Sequence, residues 1–275
     1  MTGAGLALVN GVRGAAWALD DRAAHYGDGV FRTLILHAGQ PRWWPDHFAR
    51  LGADCAALGL PAPDESDWRA DLAELAASFP DAIVKLIVSR GGGPRGYAPP
   101  ASPRGTRVAI AYPAMPPAGA EAGIAARFCT LRLARQPRLA GVKHLNRLEN
   151  VLARQEWSDP AIAEGILRDT AERVIGGVSA NLFILRGEQL LTPRLDHCGV
   201  AGVARARLLR AAPHLGLAVT ETELDAAAVL AADALFFCNS VTGLRWVSAL
   251  HTEAGELRAW NRPARFTALR EALDA

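Results

Sequence analysis

A mixed α/β class, α+β in character, is predicted for this 275-residue chain by three observations. Alternating, strand-like segments and helix-periodic segments follow one another in the order strands, helices, strands up to Pro113. Half of the residues are hydrophobic, and a chain of this length buries roughly three quarters of its extended surface on folding, so a sizeable core is available. Residues 116–122, "PPAGAEA", carry no large apolar side chain and read as a linker. It separates an N-terminal α+β domain, 1–115, from a C-terminal domain, 123–275.

The elements follow in order. "LALVNGVRG" alternates and carries Asn10-Gly11, a tight hairpin signal. "VFRTLILHAGQPRWW" reads as a second hairpin turning near Gly39. "DHFARLGADCAALGL" places Phe48, Leu51, Cys55 and Leu58 at helical spacing, and "WRADLAELAASF" is a second amphipathic helix. "AIVKLIVSR" and "TRVAIAYPA" are strands flanking the Gly- and Pro-rich loop "GGGPRGYAPPASPRG". In the second region the pattern predicts a strand at 124–134, a helix at 146–157 and a strand pair at 164–169 and 173–186. A strand at 189–192, a helix at 202–212 and a strand at 217–223 follow. The region closes with a short helix at 224–230, a strand at 234–238 and a C-terminal helix.

Thirty basic residues against 28 acidic ones leave a net charge of +2, spread along the chain, which gives no electrostatic case for nucleic acid or a membrane surface. Cys55, Cys129, Cys198 and Cys238 are too far apart in sequence for a metal knuckle or a redox pair, so no metal is expected and a reducing cytoplasm is. No basic segment followed by an apolar core opens the chain, and no run approaches ~18 apolar residues, so neither a signal peptide nor a membrane span is expected.

Only two of the basic residues, other than histidine, are lysines, Lys85 and Lys143; the rest are arginines. Lys85 lies mid-strand and reads as solvent-facing. Lys143 precedes the helix predicted at 146–157, which Asn146 can cap with Glu149 three residues on. Leu148, Val151 and Leu152 would form its buried face. A cation at a helix N-terminus is poorly placed for stability. A lysine can give up its proton and act as nucleophile or base, which an arginine cannot. Position alone also allows a solvated loop lysine. "GVAGVAR" opens a helix whose free N–H groups suit an anion, Val203 and Ala204 among them. Arg50 on its amphipathic helix is either a surface arginine or an anion ligand. Asn239 and Ser240, after the apolar "ALFFC", either form a turn or face a ligand.

The segment "LAGVKHLNRLENVLARQE" resembles the active-site segment of the fold-type IV pyridoxal 5'-phosphate (PLP) enzymes, which include branched-chain and D-amino-acid aminotransferases and 4-amino-4-deoxychorismate lyase. "DRAAHYGDGVFRTLIL" resembles the family's N-terminal signature and "DHFARL" its phosphate-arginine segment. "SANLFIL", "LTPRLDHCGVAGVARARLL" and "LFFCNSVTG" follow in the family's order. The resemblance covers nearly the whole chain. It implies a smaller N-terminal α/β domain and a larger C-terminal pseudo-barrel domain, with PLP between them, in a homodimer. It implies that Lys143 carries the cofactor and moves the proton, and that Arg50, Val203 and Ala204 bind its phosphate. Asn239, Ser240 and position 176 would complete the cofactor site.

The triplet Arg95-Gly96-Tyr97 and "HLNRLE" after the lysine resemble the lyase branch, whereas branched-chain enzymes carry tyrosine where this chain has Leu148. Arg95 would grip a substrate carboxylate bidentately, with Tyr97 and Phe31 also lining the substrate. The implied activity is conversion of 4-amino-4-deoxychorismate to 4-aminobenzoate and pyruvate, in folate synthesis, with a D-amino-acid or related aminotransferase as the alternative. One departure stands out. The family's glutamate at the pyridine nitrogen falls five residues before Asn181, where this chain has Gly176. Glu164, on the preceding strand, is the acid that could approach. A PLP protein weakened in catalysis by this loss is the further alternative.

Overall fold

The computed structural model describes residues 5–113, 121–252, 255 and 257–275. Most of the expected linker lies outside the described residues. The chain divides into two units, Met1–Pro116 with Val142–Asn146, and Pro117–Gly141 with Arg147–Ala275.

The first unit runs β1 (Leu6–Val9), β2 (Val12–Arg13), α1 (Arg22–Tyr26), β3 (Gly29–His37), β4 (Gln40–Pro41), α2 (Trp44–Leu58), α3 (Glu65–Ser78), β5 (Ala82–Ser89) and β6 (Thr106–Pro113). Its six strands are all antiparallel, in the order β2-β1-β6-β5-β3-β4. Asn10 and Gly11 take φ of 50° and 81°, the pair of left-handed residues that a two-residue hairpin with matched twist requires. Alternation along β3 sends Val30, Leu34 and Leu36 to one face, where they join Val84, Leu86, Leu51, Trp68 and Leu75 in a core beneath α2 and α3. Each such side chain contributes about 1.5–3 kcal/mol on burial. The start of α3 is fixed by the Asp64 carboxylate, which accepts the Ser66 and Asp67 N–H groups. Helix α1 has no apolar periodicity to announce it. It is five residues long, capped by Asp21 and closed by Gly27.

Residues 142–146 join this unit because their backbone continues the sheet at the start of β3. Phe31 N–H donates to the Lys143 carbonyl and Leu145 N–H to the Gly29 carbonyl, both at 2.9 Å. Val30 and His144 form a bridge. Lys143 therefore groups with the first unit and not with the C-terminal region in which a boundary at 123 placed it.

The second unit contains β7 (Ile124–Leu133), α4 (Leu148–Arg154), β8 (Ile162–Asp169), β9 (Val174–Gly177), β10 (Asn181–Arg186), β11 (Gln189–Pro193), α5 (Val203–Ala211), β12 (Ala218–Thr222), α6 (Ala226–Leu230), β13 (Ala234–Asn239), β14 (Gly243–His251), β15 (Leu257–Ala259) and α7 (Phe266–Asp274). The sheet is mixed, in the order β12-β11-β10-β13-β14-β7-β8-β9, with β15 on β14. Phe128, Ile166, Leu182, Ile184, Phe237 and Val247 fill its core. The strand expected over 173–186 is two strands broken by a turn at 178–180, and β14 was not anticipated.

Helix α4 departs most from expectation. It spans Leu148–Arg154, and its N-cap is Arg147, without a side-chain capping bond. The Asn146 amide donates instead to the Gly27 carbonyl, and the Glu149 carboxylate accepts the Ala134 N–H. The face expected to be buried is exposed: Leu148 68%, Val151 50%, Leu152 46%.

Candidate active site

In the first unit, Lys143 is fixed through its backbone. Its carbonyl accepts from Phe31, and its N–H donates to Asp54 Oδ2 at 3.2 Å. Its Nζ lies 4.6 Å from the centroid of the Phe31 ring, within cation–π range. Lys85 Nζ lies 4.8 Å from the same centroid, so Lys85 is half-buried against an aromatic ring and does not simply face solvent.

Asp54 is the hub beneath this lysine. Its carboxylate is fully buried, pairs with Arg32, and lies 3.1 Å from Arg50 Nη2, one helical turn earlier on α2. Arg32 is buried too, and burial, reinforced by Arg50, pulls its guanidinium down to about 9. His47 shares this stripe of α2 at 2% exposure, with no hydrogen bond to either ring nitrogen. Burial, then Arg32, pushes it down to about 3, so it is neutral. Arg95 and Tyr97 are exposed on the loop between β5 and β6, Tyr97 at 87%. The loop backbone is bonded to Arg22 and Tyr26.

In the second unit, Gly202 precedes α5 and provides no side-chain cap. The first helical bond there is Ala206 N–H to the Gly202 carbonyl, so the N–H groups of Val203, Ala204 and Arg205 have no intrahelical acceptor. Asn181 shapes this start of the helix: its amide donates to the Val200 carbonyl at 2.7 Å, and its Oδ1 accepts the Gly202 N–H at 3.1 Å. Asn239 builds a turn, its Oδ1 accepting from Val241 N–H, Thr242 N–H and the Thr242 hydroxyl. Its amide donates to the Ser179 carbonyl at 3.3 Å. Ser240 is half-buried in the same turn.

Gly176 is buried and brings no acid. Glu164, at 1% exposure, accepts from the Ser179 hydroxyl at 2.6 Å and from the N–H groups of Gly165 and Ser179. Burial pushes its carboxyl up, against these bonds, which favour the charged form. Ser179 itself is exposed. Thus Glu164, the acid on the preceding strand, is turned into the protein and bonded to a serine hydroxyl.

By chemistry an amine suits an aldehyde, and a guanidinium or uncapped helix N–H groups suit a phosphate ester. Lys143 and Arg50 in the first unit, and Val203 and Ala204 in the second, are each of a type that suits one end of PLP, while position 176 carries no carboxylate. Sequence reasoning missed Asp54, Arg32 and Ser179. Asp54 carried one signal: it sits four residues after Arg50, the spacing of a helical ion pair.

Residues 29–250 match the family described as amino-transferase class IV. An aminodeoxychorismate lyase from Vibrio harveyi is 36% identical over 247 residues, covering 88% of this chain and 90% of that protein. The crystal structure of 4-amino-4-deoxychorismate lyase from Pseudomonas aeruginosa has a TM-score of 0.90 at 41% identity, covering 98% of both chains. The PLP-bound form of a hypothetical aminotransferase from Mycobacterium tuberculosis shares the fold, with a TM-score of 0.81 at 22% identity over 98% of each chain.

Proposed function

For a chain that belongs to the class IV amino-transferase family, we propose the activity of a PLP-dependent lyase that splits 4-amino-4-deoxychorismate into 4-aminobenzoate and pyruvate. The observation that carries this reading is Lys143, whose backbone is held by both β3 and Asp54 while its amine lies against Phe31. In this reading Lys143 carries the cofactor, Arg50 and the N–H groups of Val203 and Ala204 hold its phosphate, and Asn239 and Ser240 border it. Bound PLP supplies an electron sink beside the substrate amine.

The split is an isomeric elimination that consumes no water and changes no net oxidation state. Lys143 Nζ takes the proton from the ring carbon bearing the amine. The ether C–O bond breaks as the ring becomes aromatic, and a proton delivered to the departing enol gives pyruvate. Arg95 holds a substrate carboxylate through its planar fork, with Tyr97 and Phe31 as its neighbours in the site. The product would feed folate synthesis. The exposed Leu148, Val151 and Leu152 on α4 support a homodimer. The four free, buried cysteines support a cytoplasmic location. Among the described residues, no helix is long and apolar enough to cross a membrane.

Two assays separate this reading from that of an aminotransferase. With aminodeoxychorismate, the PLP-loaded protein should release aromatic product and pyruvate in equal amounts. With D-alanine and 2-oxoglutarate it should exchange amino groups at least ~10-fold more slowly, since a charged hydrogen bond at the ring nitrogen contributes about 1.5–3 kcal/mol. Gly176→Glu should raise the second rate more than the first. A Cβ there would lie 3.2 Å from the Ala180 carbonyl oxygen, a shift of tenths of an ångström. Brisk amino exchange by the wild type would overturn the lyase reading.

A further inference from the structure

The loop bearing Arg95 contains the stretch 91–105, rich in Gly and Pro, a composition that ordinarily gives a mobile segment. Here its backbone is bound at the root and at the tip. At the root, Arg22 N–H donates to the Gly91 carbonyl at 3.0 Å, and Asp21 bridges Gly92. The buried Asp21 carboxylate accepts the hydroxyls of Ser89 at 2.8 Å and Thr106 at 2.7 Å, one on each flanking strand. Gly91 takes φ of +84°, and a Cβ there would fall 1.8 Å from the Arg104 carbonyl oxygen, so the two legs of the loop touch.

At the tip, three successive carbonyls converge on one guanidinium. Arg22 Nη1 donates to Gly96 at 2.9 Å and to Ala98 at 3.4 Å, and its Nη2 donates to Tyr97 at 3.1 Å. Gly96 N–H donates to the Tyr26 hydroxyl at 3.1 Å, and the Tyr26 and Tyr97 rings lie 5.5 Å apart. The guanidinium is itself immobilised. Its Nε bonds Asp28 at 2.9 Å, and it lies 4.8 Å from the Tyr26 ring centroid. Asp28 also pairs with Arg90, which reaches the carbonyls of Leu58 and Gly59 at the end of α2.

We propose that Arg22 is a positioning residue for substrate recognition: by binding the carbonyls of residues 96–98 it holds Arg95 and Tyr97 in place before the substrate arrives. The inference rests on the reading of Arg95 as the substrate's carboxylate ligand. A loop ordered in advance spares the substrate the entropy of ordering it. A lysine at position 22 keeps the charge beside Asp28 but lacks the planar fork that serves several acceptors at once.

The test compares PLP-loaded wild type, Arg22→Lys and Tyr26→Phe, the last removing only one acceptor. Brief native trypsin digestion, read by mass spectrometry, gives the rate of cleavage after Arg95. Steady-state assays give KM and kcat for aminodeoxychorismate. Arg22→Lys should speed that cleavage and raise KM, each about tenfold, the size that one or two charge-assisted bonds produce. Its kcat and PLP absorbance should stay unchanged, and Tyr26→Phe should show smaller effects of the same sign. In an Arg95→Ala background, Arg22→Lys should leave KM within about twofold, because the group it positions is gone. Unaltered cleavage and KM in Arg22→Lys would overturn the proposal. Faster cleavage together with an unchanged KM in Arg95→Ala would instead overturn the carboxylate role of Arg95, and with it any effect of Arg22 on substrate.

Discussion

His47 has two ring nitrogens, both buried and both without a hydrogen bond. Burial, then Arg32, holds it near 3 against an ordinary value of 6.5, with Arg42 and Lys143 adding to the effect and Asp46 opposing it. The sign follows from proton counts. Below pH 6.5 the unfolded chain takes up a proton that the folded chain refuses, so this contribution to stability is complete above 6.5 and is lost as pH falls toward 3. Between pH 6.5 and 4.5 the loss is about 2 kcal/mol. His47→Leu removes the titration, so the gap in urea-unfolding free energy between wild type and variant should move by that amount across this interval. A pH-independent gap would refute the buried neutral histidine. Lys143 was legible in the sequence because the composition isolates it. Asp54 was not, since its bond to the Lys143 N–H joins residues 89 positions apart. Nor was the burial of Glu164 behind Ser179, which depends on the β8–β9 register.

At the scale of elements, the sequence located most strands and helices because apolar alternation and turn residues agreed there. It failed where polar partners came from afar. The capping-box spacing of Asn146 and Glu149 put the start of α4 too early, because both side chains serve the backbone of other segments, at Gly27 and Ala134. Helix α1 and strand β14 carry too weak a pattern to stand out. The start of α5 leaves N–H groups without intrahelical acceptors, and Asn181 shapes it. A Cβ on Gly202 would fall 2.3 Å from Asn181 Oδ1. Gly202→Ala should therefore displace the approach to Val203 and Ala204 and weaken PLP binding about tenfold, the effect of roughly one charge-assisted hydrogen bond. Absorbance titration with PLP measures this directly, and unchanged affinity would detach Asn181 from the phosphate site.

At the scale of the molecule, the α+β order was legible, because hydrophobic patterning marks it. That residues 142–146 belong with the first unit was not, since long-range bonds place them there, among them Phe31 N–H to the Lys143 carbonyl and Leu145 N–H to the Gly29 carbonyl. That placement gives the two lysines of the chain one aromatic ring in common, Phe31, and makes the identity of the cofactor lysine the central question. Borohydride reduction of the PLP-loaded protein followed by peptide mapping answers it. The phosphopyridoxyl mass should sit on Lys143, Lys85 should be unlabelled, and Lys143→Ala should take up no label. The mass on Lys85, with Lys143 unmodified, would contradict this assignment.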